Sequence, residues 1–408
     1  MKKLMIIGAG VYQVPIIKKA KDRGLYTIAV SPYGDYPGLK AADKTYDLDV
    51  RDKEGILAAA RDEKIDGITT DQTDMAMPAV AYVAEKLGLP GIGYECATLF
   101  TDKYKMREKS MQLGLPTIRY RSVTTCQEAE EFFNEVGTSI MIKPVDNQGS
   151  RGVYRIDNIS QLRYLFPDTK GYSANGMVIA EQYVEGDEYE VDSIVIDGRE
   201  HTLMCGDIAL FSLPDVFSSK TRMYPSARNS ETVARLLKLN RDTVEGFGLK
   251  QGLTHSEYVV DKSGQPYLIE AAARGGGAFV SSDITPLQTG LDTAEYLIDA
   301  ALGIPFDAGE LGYEMCHCGT ISFYLPEGKV ASVDGIEEAK ALPYIHGNLL
   351  NEIYIGKITG AFSDKTARYI SVLSADTREE LETRFNHYRK IINVKVETPF
   401  GLQGPIWE

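Results

Sequence analysis

Apolar and polar positions change rhythm twice along this chain. Up to about residue 95, short apolar runs alternate with stretches of helical period. LMIIGAG (4–10) precedes VYQVPIIKKAKDRG (11–24), an amphipathic pattern closed by Gly24, and YTIAVS (26–31), KTYDLD (44–49) and DGITT (66–70) repeat the strand signal. Strands alternating with helices predict a parallel sheet with right-handed crossovers, so residues 1–95 are expected to form a Rossmann-like α/β domain. Residues 96–305 read differently. A basic helix over 102–114 leads into strands RYRSV, SIMIKPV and RGVYRI. Longer strands follow near 177–184, 188–197 and 202–211, then a helix over 229–248 and two strands over 254–261 and 265–271. Hairpin-like succession with helices to one side is an α+β pattern. Residues 306–408 open with GTISFYLPEGKVASV and close with strand ARYISVLSA and a helix over 377–392, predicting a small α+β C-terminal domain. No internal repeat or low-complexity linker separates the three, so they are expected to pack together.

Composition narrows the function without naming it. The 408 residues are 43% hydrophobic and 25% charged, as in ordinary globular proteins. The longest apolar runs fall far short of the roughly 20 residues that span a bilayer, and Met1-Lys2-Lys3 is followed by only a few apolar residues before Gly8-Ala9-Gly10. A cytoplasmic protein without a membrane partner is expected. A formal net charge of −14 argues against nucleic acid as a partner, but leaves room for a small anion held by local lysines and arginines. Five cysteines, at 96, 126, 205, 316 and 318, do not suggest a disulfide framework. Cys316-His317-Cys318 reads as part of a strand, because alternation would point His317 away from both thiols.

Candidate chemistry begins at Gly8-Ala9-Gly10, where a dinucleotide fingerprint would sit. The third glycine of that fingerprint is replaced by Gln13, and Ser31-Pro32 stands where its acidic residue is expected. A tight turn is the expectation. The middle segment offers in order what a nucleoside triphosphate needs. Lys143 ends an apolar strand, so its ammonium is expected at the sheet's end. PVDNQGSRGV (144–153) follows, in which Gly149 and Gly152 flank Ser150-Arg151; it suits phosphate oxygens and reads equally as a hairpin loop. VIAEQYVEGDEYEVDSIV (178–195) can supply a flat backbone edge for adenine at Glu181-Gln182-Tyr183-Val184 and a carboxylate, Glu188, for ribose hydroxyls, and reads otherwise as an edge hairpin with solvated acids. The strongest signal is GLTHSEYVVDKSGQPYLIEAAARGGG (252–277). Its two strands predict a hairpin that sets Glu257 beside Glu270, and paired carboxylates among apolar residues call for a cation, naturally Mg²⁺. Arg274 reaches the same spot and suits a transferring phosphoryl group. GGGAFVSSD (275–283) can offer backbone amides to a substrate carboxylate. SSKTRMYPSAR (218–228), with Lys220, Arg222 and Arg228, is either a loop that closes over phosphates or a plain basic loop.

These residues, in this order and with Lys103 in Thr101-Asp102-Lys103 ahead of them, resemble the ATP-grasp superfamily over nearly the whole chain, and Gly-x-x-His-x-Glu ending at Glu257 is most similar to its amino-acid ligases. The resemblance implies a Rossmann-like domain before an ATP-grasp core of two subdomains, with ATP between them. It implies Lys103 and Lys143 on phosphates, Ser150 in the glycine loop, Glu181, Gln182, Tyr183 and Val184 at the adenine, Glu188 on the ribose, Glu257 and Glu270 on one or two Mg²⁺ ions, and Arg274 and Lys143 in catalysis. The implied reaction is ADP-forming ligation of a small carboxylate to an amine through an acyl phosphate. A purine-pathway-like carboxylase, formyltransferase or phosphoribosylamine ligase, a kinase and a non-catalytic nucleotide sensor are the alternatives, and a homodimer is plausible by analogy. Ala272 departs from the pattern, since many members carry asparagine between the second glutamate and the arginine.

Overall fold

The computed structural model describes residues 1–306, 311–362 and 368–408. The first sheet is parallel, built from β1 (Lys3–Ile7), β2 (Tyr26–Val30), β3 (Lys44–Tyr46) and β4 (Gly67–Thr69) in the order β3-β2-β1-β4. The apolar run in β1 is buried on both faces, as helices on either side of a parallel sheet require. The second sheet holds β5 (Tyr120–Val123), β6 (Ile140–Pro144), β7 (Tyr154–Ile156) and β8 (Val178–Gln182) in the order β5-β8-β6-β7. The helices Cys126–Val136 and Ile159–Gly171 pack on it around Phe132, Ile142, Leu162 and Phe166.

The strands that follow are β9 (Gly186–Ile196), β10 (Arg199–Leu210), β11 (Ser219–Tyr224), β12 (Gly252–Asp261), β13 (Pro266–Ala272), β14 (His317–Tyr324), β15 (Gly328–Asp334), β16 (Ile345–Asn348), β17 (Ile358–Thr359), β18 (Arg368–Ala375), β19 (Asn393–Thr398) and β20 (Gly401–Gln403). Eight of them form one sheet, β13-β12-β9-β10-β11-β14-β18-β16, and four form a small sheet, β17-β15-β19-β20. The fold is the α/β and α+β combination expected. Two features differ from the sequence reading. The stretch 218–228 is mostly strand: β11 pairs with β10 and β14, because alternating Ser219, Thr221 and Met223 can face one side while Lys220, Arg222 and Tyr224 face the other. The charged residues masked that strand signal. The segment after residue 305 is also not separate as a sheet, since β14, β16 and β18 extend the sheet begun by β9.

The large sheet has two faces. One packs Tyr189, Val191, Val195 and Tyr258 against the helix Ser230–Gly246. The other meets the N-terminal segment in a shared core that joins Leu4, Ile6, Ile16 and Ile17 to Ile194, Phe279, Cys318 and Ile370. The first parallel sheet is therefore fixed over the face that carries the charged residues. Cys318 lies in β14 on that face and accepts a hydrogen bond from Gln288 Nε2 (3.3 Å). Among the described residues no helix is long and apolar enough to cross a membrane.

Gln13 decides the fate of the first strand–helix turn. Its Oε1 accepts from Gly10 N (3.0 Å) and its Nε2 donates to Asp71 O (2.6 Å). A Cβ on Gly8 would lie 3.1 Å from the Gln13 amide, so the side chain fills the turn that a pyrophosphate would enter in a dinucleotide site. Gln13→Ala should cost about 1–3 kcal/mol, because it orphans a buried carbonyl and an amide. Urea denaturation tests this, and a change under about 0.5 kcal/mol would leave the plug without structural importance.

Candidate functional site

The site is laid out by strand register. Glu257 on β12 faces Glu270 on β13, and Glu190 on β9 faces Glu257 from the other side. Three glutamates thus form a row across three adjacent strands. Alternation places Glu188 and Asp192 on the same face as Glu190. Five carboxyls on one patch repel strongly unless cations join them. Arg222 supplies one, with Nη1 3.1 Å from Glu190 and Nη2 3.1 Å from Glu257. His255 supplies another: Nδ1 is 2.9 Å from Asp192, and Nε2 is 3.6 Å from both Glu190 and Glu257. Burial would push this imidazole down, but Asp192 and the two glutamates outweigh it and lift it to about 10, so it is a cation at neutral pH. Tyr224 donates its hydroxyl to Glu190.

At the β13 end the balance runs short. Among the described residues Glu270 has one cationic partner, Lys103, whose Nζ lies 3.1 Å away and also donates to Asn147 O (2.8 Å). Glu257 is held down at about 2, since the hydrogen bond from His255 and the charge of Arg222 overcome its burial. Glu188 is pushed up to about 7 by burial and by the charge of Glu257. Glu190, His255 and Glu257 are, among the described residues, the one trio of His, Cys, Asp and Glu side chains close enough to share an ion. Arg222 and the charged imidazole already neutralise that trio. Glu270 is the less neutralised acid, and with Glu257 opposite it in the register it offers an oxygen-only set that suits a hard cation such as Mg²⁺. Ala272 sits opposite His255 in the register, so no second oxygen ligand projects there.

Of the sequence-predicted site residues, Glu270 lines a cavity of about 680 Å³, together with Asp74, Asn147, Gln148, Arg151 and Tyr172, among others; Glu188 lines a separate one with Asp187, Tyr189 and Arg228. The glycine loop covers the first. Gln148 accepts from Asp74 N (2.8 Å) and donates to Thr73 Oγ1 (3.2 Å), while Ser150 donates to Phe217 O (3.1 Å). Gly149, Ser150 and Gly152 all adopt positive φ (69°, 58° and 69°), which bends the loop back toward the N-terminal segment.

Several expected roles are altered by partners that the sequence did not reveal. Glu181 is 1% exposed and its carboxylate accepts from Arg107 Nε (2.7 Å) and Lys143 Nζ (2.7 Å). It is therefore committed to holding Lys143 at the strand end and is not open to adenine. At the hinge, Gln182 N donates to Arg119 O (2.8 Å) and Tyr183 N to Ser139 O (2.9 Å); Val184 N has no such partner among the described residues. Arg274 is paired with Asp74 through Nε (2.8 Å) and Nη2 (2.6 Å). Beyond it, Gly275 and Gly276 pack so closely that a Cβ would meet Ser281, Asp71 and His255 below 3.0 Å. The amides of Phe279, Val280 and Ser281 are spent on Gln72, Gly277 and Gly276 rather than left for a substrate. Lys220 pairs with Glu408 (2.6 Å), Arg228 with Asp187, and Arg222 lies within the charged row, so these three do not form one phosphate-closing loop. Sequence reasoning missed Glu190, Asp192, His255, Asp74 and Arg107. The alternation Glu188-x-Glu190-x-Asp192 was the available signal for two of them.

Residues 136–283 match the family profile described as the ATP-grasp domain. The chain has an ATP-grasp fold. Its structure superposes on the L-amino acid ligase from Bacillus licheniformis with a TM-score of 0.83, at 24% identity, covering 98% of this chain and 99% of that one. In sequence it is 28% identical over 269 residues to the alanine–anticapsin ligase of Bacillus subtilis strain 168, a match that takes in 60% of this chain and 56% of that protein. The chain thus spans a little over half the length of that relative. It is 24% identical over 252 residues to the formate-dependent phosphoribosylglycinamide formyltransferase of Methanocaldococcus jannaschii, covering 60% of this chain and 64% of that protein.

The Glu181 pair carries a stability consequence. Arg107 and Lys143 overcome burial to hold this carboxyl at about 2, below its ordinary 4.5. A carboxyl depressed in the folded state adds stability that is fully present above pH 4.5 and is lost as pH falls toward 2, an effect of about 3 kcal/mol. Glu181→Gln should lower stability at pH 7 by about 3–5 kcal/mol, because two buried cations lose their anion, and should flatten the stability profile between pH 4.5 and 2. Denaturation at a series of pH values checks both, and an unchanged acid limb would rule the pair out as its source.

Proposed function

We propose that this ATP-grasp protein is an ADP-forming ligase that phosphorylates a small carboxylate and passes the acyl group to an amine. The observation that carries this reading is the Glu190–Glu257–Glu270 row, with Lys103 resting on Glu270 at one end of a cavity covered by the glycine loop. The likeness to proteins named L-amino acid ligase and alanine–anticapsin ligase supports the choice of carboxylate and amine.

The chain's residues divide the work as follows. Lys103 and Lys143 carry the positive charge for the triphosphate. Each now rests on a carboxylate, and binding lets Lys103 exchange Glu270 for phosphate oxygens, which releases Glu270 toward a cation. Lys143 stays oriented by Glu181. Val184 offers the hinge donor and Glu188 a carboxyl for the ribose. Glu257 and Glu270 would hold Mg²⁺, which when bound would offset negative charge on the transferring group. Arg274, fixed by Asp74, faces the same transfer. A carboxylate oxygen of the substrate attacks the γ-phosphorus as the bond to ADP breaks. The amine then attacks the acyl carbon, phosphate leaves, and the amine gives up a proton. Catalysis of this kind rests on positioning and charge neutralisation. The charge balance of the row is what holds these groups in place.

The test is ADP release with MgATP against panels of carboxylates and amines, with hydroxylamine as a generic acceptor. Hydroxamate formed from one carboxylate is expected. Hydroxamate from formate alone would favour the formyltransferase-like alternative, ADP without acyl trapping a kinase, and binding without turnover a sensor. Glu270→Gln should lower turnover at least about 100-fold with an unchanged Tm, and a fully active variant would remove the metal assignment.

A further inference from the structure

The charged face of the large sheet has an opposite end, toward β14 and β18, and there the imbalance is reversed. Arg368, the first residue of β18, faces Tyr324 of β14 in the register. Its Nε is buried without a hydrogen-bond partner among the described residues, and its one hydrogen bond is a long contact from Nη2 to Ser219 Oγ (3.4 Å). Among the described residues no carboxylate pairs with it. Burial pulls this guanidinium below its ordinary range, and the like charge of Arg222 adds to that. Arg222 is satisfied by Glu190 and Glu257, yet its Nε is also buried and unpartnered.

Orphaned groups continue along the same face. Thr320 stands opposite Arg222, and Ser322 follows two residues on toward Tyr324. Both side chains are fully buried, and among the described residues both hydroxyls lack a partner. Four buried polar atoms on neighbouring strands are thus unsatisfied together, although such groups are normally paired. Tyr12, from the plugged N-terminal turn, lies above them. It packs edge-on against Phe279 (5.1 Å between ring centroids), and its phenol, pushed up by burial, is pulled back by the charges of Arg368 and Arg222. A half-buried cation with no carboxylate partner among the described residues, and with orphaned donors beside it, calls for an anion.

We propose that Arg368, with Thr320, Ser322 and Arg222 Nε, forms a subsite for the carboxylate of an amino-acid substrate, next to the reaction centre at Glu257. It rests on the ligase reading for the reaction and not for the binding. One surplus positive charge matches a single carboxylate; a phosphate dianion would leave the site negative. The contrast with the other end of the face is direct: carboxylates short of cations attract the metal, and a guanidinium short of an anion attracts the substrate's acid group.

The experiment compares the wild type with Arg368→Gln and Arg368→Lys in the presence of a non-hydrolysable ATP analogue and Mg²⁺. Amino acids, their carboxamides and inorganic phosphate are the probes, read by calorimetry and by thermal shift. At least one amino acid is expected to bind wild type about 10- to 100-fold more tightly than its amide. Arg368→Gln should remove that difference, Arg368→Lys should recover part of it, and nucleotide affinity should stay within twofold in both. The Tm of the ligand-free Gln variant should hold or rise, since an unpaired half-buried charge is lost. Equal binding of acid and amide by wild type, tighter binding of phosphate than of any amino acid, an undiminished preference in Arg368→Gln, or a lower Tm for the ligand-free Gln variant would each overturn the subsite. If the Gln variant does not fold, Ser322→Ala replaces it with the same criteria except that the acid preference falls at least threefold. Failure of turnover with intact acid-selective binding would count against the ligase reading and not against the subsite.

Discussion

Uneven neutralisation of charge on one face of the eight-stranded sheet governs most of what surrounds it. Five carboxyls share that face, and burying unpaired charge is among the largest costs a fold can carry. The chain meets the cost by drawing cations from different elements: Arg222 from β11, His255 from β12 and Lys103 from the helix Lys103–Gln112. None of these partners is local in sequence to all the acids it serves. The sheet order brings them together, and the order depends in turn on β11 being a strand. A row assembled in this way is pre-organised, because side chains locked by several partners lose little freedom when a ligand arrives.

The same economy explains why every candidate cation for a triphosphate is already occupied. Lys143 lies on Glu181, Lys103 on Glu270 and Arg274 on Asp74. These pairs differ in kind. The Glu181 pair is enclosed, with Arg107 as a third member, and its geometry fixes the lysine's direction. The Lys103–Glu270 contact borders the cavity and involves an acid better suited to a metal ion. A ligand that brings both phosphate and a divalent cation can replace the second contact without stranding either charge, whereas breaking the first would strand two buried cations.

Much of this was legible from the chain alone. Period-2 and period-3.6 runs gave the strands and helices, and the spacing of Glu257 and Glu270 around Lys262-Ser263-Gly264-Gln265 placed the two acids side by side, as the register has them. What stayed hidden was of two sorts. The strand β11 was concealed by Lys220 and Arg222, whose charges argue for a loop until the acids that neutralise them are known. The partners of Glu181 and Arg274 lie 74 and 200 residues away, and no periodicity reports contacts at such separations. Gln13 lies between these cases. Its presence at a glycine position argued against a dinucleotide, and the coordinates add the reason, an amide that bonds both sides of the turn.

The glycine run after Arg274 has a packing cause beside any role of its amides toward a ligand. Three successive glycines beside a candidate active site suggest amides presented to a ligand. Here Gly275 and Gly276 are needed because Asp71, Ser281 and His255 crowd the space a Cβ would take, and the following amides are consumed in a tight turn with Ala278 and Phe279 at positive φ. That turn carries Phe279 onto Tyr12, and so fixes the N-terminal segment above Arg368 and Arg222. The close packing of the glycines thereby shapes the far end of the charged face as well as the near one. A side chain at Gly276 would press on His255, and through it on the cation that balances Glu190 and Glu257. Backbone approach and charge balance are in this way one constraint seen from two sides.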